Sequence, residues 1–232
     1  KWFKKSTEQG HPWSPSLYGY LLQRGEGGVQ RDIAKAKELY ERSIESGQPQ
    51  GYYYLGGLYE EGIGVQKNEK EEAVRLYRIA ADMGLDVAQC SLGNCYDFGI
   101  GVAVDYEEAL KWYLASAEQG KNATAMYNAG GKMMQLAQMK YGHNVDVPGR
   151  DPLPRAYYWC KKAADLGDMD GANTASQIEA GCKTNCAQCK KSALAETLNR
   201  CAKCKLYRYC GKECQVKHWK AGHKKDCVKA DG

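Results

Sequence analysis

A ten-residue block occurs twice in this chain, and that recurrence limits the folds open to it more than any other feature. Residues 1–10, Lys-Trp-Phe-Lys-Lys-Ser-Thr-Glu-Gln-Gly, and residues 111–120, Lys-Trp-Tyr-Leu-Ala-Ser-Ala-Glu-Gln-Gly, agree at six of ten positions. The offset of 110 is three steps of roughly 37 residues, a period of helical repeat arrays. Gly25, Gly62 and Gly99 keep that step, as do Leu55 and Leu92, and Tyr59 and Tyr96. Ala36, Ala73 and Ala109 follow it within a residue, and so do Tyr40, Tyr77 and Tyr113. One such unit cannot bury its apolar stripe alone, so the units must stack around a continuous core.

Each unit reads as two short helices. Residues 51–60 are bulky with a Gly pair, and the run stops at Gly62-Ile63-Gly64, where glycine supplies the turn. Asn68 and Asp105 have N-cap chemistry at the start of a second helix. Ala73, Leu76, Tyr77 and Ala80 recur at steps of three and four, hence on one helical face. Gly47, Gly84 and Gly120 fit the residue just past that helix. Small residues at Gly56, Ala73 and Ala81 let neighbouring helices approach closely.

A fourth unit is distorted. Ala156, Trp159, Ala164 and Gly167 match Ala109, Trp112, Ala117 and Gly120 at an offset of 47. The extra residues fall near 140–154, where His143, Pro148, Gly149, Pro152 and Pro154 read as an extended surface loop. The opening block is the second half of a unit, so Trp2 and Phe3 lack a partner helix and the native chain is expected to extend upstream.

The units resemble the Sel1-like repeat family, relatives of tetratricopeptide repeats. The resemblance rests on Leu55-Gly56-x-x-Tyr59, Gly62-Ile63-Gly64-Val65, Ala73, Tyr77 and Ala80-Ala81-x-x-Gly84. It rests also on Gly99-Ile100-Gly101-Val102, Asp105, Ala109 and Trp112-Tyr113, and runs from residue 1 to about 175. It implies an α-solenoid that works as a protein-interaction scaffold without chemistry of its own. The paired turn glycines are no dinucleotide fingerprint, because the third glycine and a preceding strand are missing and the motif returns once per unit. Most of the 17 tyrosines read as packing residues with hydroxyls reaching the surface. The Tyr52-Tyr53-Tyr54 run can also present rings to a partner.

The last fifty residues differ in kind. Residues 183–232 hold 13 Lys and Arg against 4 Asp and Glu, and 7 of the 11 cysteines. They read Cys186-x2-Cys189, Cys201-x2-Cys204, Cys210-x3-Cys214 and His223-x3-Cys227. Two intervening residues bring both sulfurs to one ion from a tight knuckle, and three put ligands one helical turn apart. Seven thiols and one imidazole fill two closed tetrahedral sites, and such shells select structural Zn²⁺. A disulfide lattice gives no reason for His-x3-Cys, and a redox Cys-x2-Cys stands alone. Spacing by itself leaves three ways to distribute four ligand pairs over two ions.

The run from Cys201 through Tyr209-Cys210, Cys214-Gln215, Trp219 and His223 to Cys227 resembles a MYND zinc finger, matched over 186–227. Its cross-brace implies one zinc on Cys186, Cys189, Cys210 and Cys214, and a second on Cys201, Cys204, His223 and Cys227. Some MYND domains take up short proline-containing peptides, which the resemblance maps to Gln215 and Trp219. Trp219 can equally pack over the small zinc core. Cys182 and His218 are spare, His218 as an exposed side chain, and Cys90, Cys95 and Cys160 read as small buried thiols.

The expected fold is all-α: a solenoid of helix-turn-helix repeats over 1–180, then a small zinc-bound cross-brace over 183–228. The expected function is a monomeric, non-enzymatic adaptor whose solenoid and finger each bind a protein or peptide. The first alternative is nucleic-acid association through the basic tail, although no reading helix or aromatic platform is evident. The second is a fragment of a MYND-containing methyltransferase, which needs a SET segment whose signatures are missing from these residues. The chain has no apolar run long enough to span a membrane. Zinc thiolates point to a reducing compartment, cytosol or nucleus.

Overall fold

Ala36, Ala73, Ala109 and Ala156 are all fully buried, each at one position of a repeated second helix where only a methyl group fits. The computed structural model describes residues 2–64, 70–141, 151–182, 199–201, 204, 206–209, 212–224 and 227. The repeats comprise α1 (Trp2–Glu8), α2 (Ser14–Arg24), α3 (Ile33–Glu45), α4 (Pro49–Glu61) and α5 (Lys70–Asp82). They continue with α6 (Asp86–Phe98), α7 (Tyr106–Glu118), α8 (Ala123–Tyr141), α9 (Leu153–Asp165) and α10 (Met169–Cys182). No helix of the described residues is long and apolar enough to cross a membrane.

Residues 1–116 and 117–232 form two compact units. In the first, α1 to α6 each pack on their sequence neighbour. Its core joins Leu22, Tyr40, Leu58 and Leu76 in one cluster, and Tyr77, Ala80, Leu92 and Cys95 in another. Burying a side chain of this size contributes about 1.5–3 kcal/mol. In the second unit α8 packs on α9, and α9 on α10.

Close approach within each repeat comes from a glycine facing an aromatic ring. A Cβ on Gly19 would lie 2.7 Å from the Tyr40 ring, on Gly56 2.9 Å from Tyr77, and on Gly93 2.6 Å from Tyr113. In the fourth repeat Cys160 occupies the tyrosine position, and its Sγ would lie 2.8 Å from a Cβ on Gly130. The expected N-cap at Asp105 forms, its Oδ1 accepting from the Glu107 and Glu108 amides at 3.0 and 2.9 Å. Asp32, Asn122 and Asp168 cap α3, α8 and α10 in the same way. Asn68 lies outside the described residues.

The second turn glycine has a packing role. Gly101 takes φ +65°, and a Cβ there would run into the Lys70 carbonyl at the start of α5. Gly64 sits likewise against Ile33 at the start of α3. Each turn therefore seats on the second helix of the repeat before it, which explains why the motif returns once per unit.

The inserted residues of the fourth repeat do not all form the expected loop. Lys140 and Tyr141 are helical, because α8 runs for 19 residues where α4 and α6 run for 13. No glycine or proline falls between Gly131 and Tyr141, and Met, Gln, Leu, Ala and Lys propagate the helix well. Leu153 and Pro154 open α9, with proline in the first turn, where its missing N–H costs nothing. Residues 142–150 of the insertion lie outside the described residues.

After α10 come β1 (Asn199–Arg200) and β2 (Arg208–Tyr209), an antiparallel pair with Asn199 opposite Tyr209 and Arg200 opposite Arg208. This ladder of two residues per strand is the exception to the all-α expectation. A last helix, α11 (Lys212–His218), runs into a π turn over Trp219–His223.

Candidate metal centre

Cys201 follows β1, and its amide donates to the Tyr207 carbonyl at 2.7 Å. The partner ligands arrive from the other end of the finger. Gly222, at φ 141°, bends the chain after α11, a conformation that a side chain would resist. The Cys227 amide donates to the His223 carbonyl at 2.8 Å, so His-x3-Cys spans one helical turn.

The structure brings Cys201, Cys204, His223 and Cys227 together. All four are buried, and their ligand atoms lie within 4.8 Å of one another. Cys201 Sγ stands 3.5 Å from His223 Nε2 and 3.9 Å from Cys227 Sγ, and Cys204 Sγ 3.7 Å from the same nitrogen. A tetrahedral zinc with bonds near 2.3 Å to sulfur and 2.0 Å to nitrogen spaces its donors about 3.5–3.8 Å apart, so the donor set fits.

The electrostatics agree. The neighbouring Cys201 sulfur, then burial, push the Cys204 thiol far above its ordinary value. A thiol raised in this way holds its proton unless a cation takes its place, and a divalent ion inverts that preference. The four donors make a set that could hold a zinc ion.

Aromatic rings fix the imidazole. His218 stacks on His223 with centroids 4.9 Å apart and planes 19° apart, while Tyr207 meets His223 edge-on at 5.0 Å. His218 is therefore not the exposed side chain expected from the sequence: it is 3% exposed, and its Nδ1 lies 2.9 Å from the Tyr209 hydroxyl. A finger this small needs its large rings for a core. Tyr207 and Tyr209 are supporting residues that reading for ligands passed over. Their alternate spacing beside Cys210 was the available signal.

Of the other expected ligands, Cys186, Cys189 and Cys210 lie outside the described residues. Cys214 lies on α11, half-buried against the finger core. Gln215 and Trp219 are half-buried, and the indole sits 5.8 Å from the His223 ring. The core is not confined to the finger. Ala156 of α9 and Ile178 of α10 form one cluster with Cys201, Cys204, Leu206, Tyr207, Tyr209 and Cys227. Cys90, Cys95 and Cys160 are buried thiols, and burial raises Cys95 to about 12 and Cys160 to about 11.

Comparison with known proteins agrees with both parts. The Sel1 repeat model matches residues 1–11, 16–48, 49–85, 86–121 and 123–168, and the MYND finger model matches 186–227. The solved Sel1 repeat protein from Oxalobacter formigenes is 27% identical with a TM-score of 0.63, over 77% of this chain and 68% of that one. A protective antigen of uropathogenic Escherichia coli with an SLR fold is 26% identical with a TM-score of 0.60, over 97% of this chain and 40% of its own. Ubiquitin carboxyl-terminal hydrolase 17 of Arabidopsis thaliana is 46% identical over 46 residues, 20% of this chain and 6% of that protein. The chain thus spans only a small fraction of that curated relative.

Proposed function

Because the chain belongs to the Sel1 repeat family and carries a MYND finger, we propose that it is a non-enzymatic adaptor joining two protein partners. The repeat array, residues 1–180, takes one partner. The finger, residues 183–228, takes another as an extended proline-containing peptide laid beside Gln215 and Trp219. Two structural zincs shape the finger, one on Cys201, Cys204, His223 and Cys227, the other on Cys186, Cys189, Cys210 and Cys214. Joining two weak sites raises avidity when both are engaged at once. A thiolate-rich finger works in a reducing compartment, the cytosol or nucleus.

The observation that carries the reading is closure. Four buried protein donors saturate a tetrahedral ion, so the described cluster offers no open position for a reacting water or substrate. Its chemistry is that of a brace.

The test uses the zinc-loaded full chain on an array of proline-containing peptides, beside the variants Gln215→Ala and Trp219→Ala. The expected result is capture by the native chain, loss in both variants, and unchanged metal content. An array with no captured peptide, or capture indifferent to Trp219, overturns the peptide site.

A further inference from the structure

Three choices along α4 work against its own stability, and they converge on one pocket. The first is Gly57. A glycine inside a helix costs about 1 kcal/mol relative to alanine. At Gly56 close packing on Tyr77 offsets that cost, but a Cβ on Gly57 would meet only the Tyr77 hydroxyl, at 3.7 Å. No neighbour of Gly57 requires a glycine there.

The second and third are Glu60 and Glu61, in the last turn of a helix with no basic residue there. The C-terminal end of a helix carries about half a negative charge, which favours cations. In α2 the same register holds Gln23 and Arg24, the ordinary arrangement. Glu60 accepts from the Tyr77 hydroxyl at 2.6 Å, and Glu61 makes no ion pair within 4 Å among the described residues, although its charge is felt by Arg24.

Gly57 leaves room in a cavity of 470 Å³ whose walls include Tyr20, Tyr53, Tyr54, Tyr77, Glu60 and Glu61. Tyr54 packs 5.4 Å from Tyr20, and Tyr53 5.7 Å from Tyr77. Arg24 and Arg31 line it as well, and the protein engages both. Arg24 pairs with Glu26 at 2.7 Å and lies over the Tyr20 ring, and Arg31 Nε donates to the Gln23 carbonyl at 3.1 Å. Local rules broken together mark sites where function outweighs stability.

We propose that this pocket receives a basic side chain presented by the partner of the repeats. The cation would sit over Gly57, against tyrosine rings and beside the Glu60 and Glu61 carboxylates, with the helix end adding to their field. This deepens the reading of the repeats as a protein-recruiting array and rests on it for the identity of the donor as a protein.

The test is an NMR titration of the full chain with N-acetyl-arginine amide, its neutral citrulline counterpart and N-acetyl-glutamate amide. Saturable shifts of the tyrosine rings are expected with the arginine derivative, with binding about fivefold weaker or more for citrulline. Glu60→Gln/Glu61→Gln should remove the difference between arginine and citrulline. This variant keeps an acceptor for Tyr77, as Gln23 does for Tyr40 at 2.7 Å. Gly57→Leu should abolish binding, whereas Gly131→Leu, at a glycine on α8 that also faces open space, should not. No saturable shift, equal binding of citrulline, or preference for the glutamate derivative overturns the pocket. Protein capture by the full chain is scored separately. Capture undiminished by Glu60→Gln/Glu61→Gln overturns the pocket and leaves the adaptor standing. No capture at all, beside a positive titration, removes the adaptor reading and keeps the cation site.

Discussion

The Tyr77 hydroxyl donates to the Glu60 carboxylate at 2.6 Å across a step of 17 residues, and Tyr40 reaches Gln23 across the same step at 2.7 Å. Tyr113 makes the equivalent reach to Asn94 and Asp97. Each of the first three repeats thus clamps its two helices at both ends of one tyrosine, the ring against glycine and the hydroxyl on a polar side chain. Burial, and then the Glu60 charge, hold the Tyr77 phenol far above its ordinary value, so it stays a donor. Tyr77→Phe should cost about 1–2 kcal/mol in urea unfolding. An unchanged midpoint would mean that the hydroxyl is no clamp.

Adjacent glycines on α4 should respond with opposite sign. Gly56→Ala forces a methyl into the Tyr77 ring and should destabilise by about 1–3 kcal/mol. Gly57→Ala adds helix propensity without crowding and should stabilise by up to about 1 kcal/mol. Paired denaturation curves decide this, and two shifts of the same sign would defeat it.

Cys95 gives the first unit a dependence on alkaline pH. Its folded value is near 12 against an ordinary 9.0, first from burial and then from Glu60. The unfolded chain therefore loses this proton first. The stabilisation is whole below pH 9.0 and is lost progressively as pH rises toward 12. Stability should fall by on the order of 1–3 kcal/mol between pH 9 and 11, and Cys95→Ala should flatten that slope. Parallel slopes in the two proteins would refute the assignment.

His218 should behave as a support and not as a ligand. His218→Ala removes a stacked ring and its 2.9 Å contact with the Tyr209 hydroxyl, a cost of about 2–3 kcal/mol. Native mass spectrometry should still find the zinc content of the parent chain, whereas His223→Ala should lose one ion. A missing zinc in His218→Ala would promote that ring to the ligand set.

Metal removal should be felt beyond the finger. Ala156 and Ile178 share a core with Cys201, Cys204 and Cys227, so chelation should loosen α9 and α10 as well. Hydrogen exchange there is expected to quicken by about tenfold or more, with α4 and α5 unchanged as internal reference. Protection of α9 and α10 that survives chelation would separate the two.

The repeat architecture was legible because the step of 37 recurs at residues that cannot vary freely: the buried alanines, the clamping tyrosines, the turn glycines. The extent of α8 was not, because proline and glycine near 150 marked a loop while the helix formers before them carried no stop. Ligand spacing brought out the four ligand pairs, since metal geometry is written in intervals, and the resemblance grouped Cys201, Cys204, His223 and Cys227 into one site. The burial of His218 follows no interval. It arises from the Tyr207 and Tyr209 rings packing against the His218 ring at 5.3 and 5.5 Å, a tertiary contact that leaves little trace in a linear pattern. Cys186, Cys189 and Cys210 lie outside the described residues, so the first zinc rests on spacing and resemblance.

The shared core of α9, α10 and the zinc knuckle bears on how this molecule can be taken apart. A segment excised just after Cys182 would carry away a raw apolar facet that α9 and α10 normally cover, and would invite self-association in the test tube. Cutting upstream of Leu153 keeps that facet sheltered, which makes the last hairpin and the finger together the smallest piece worth transplanting.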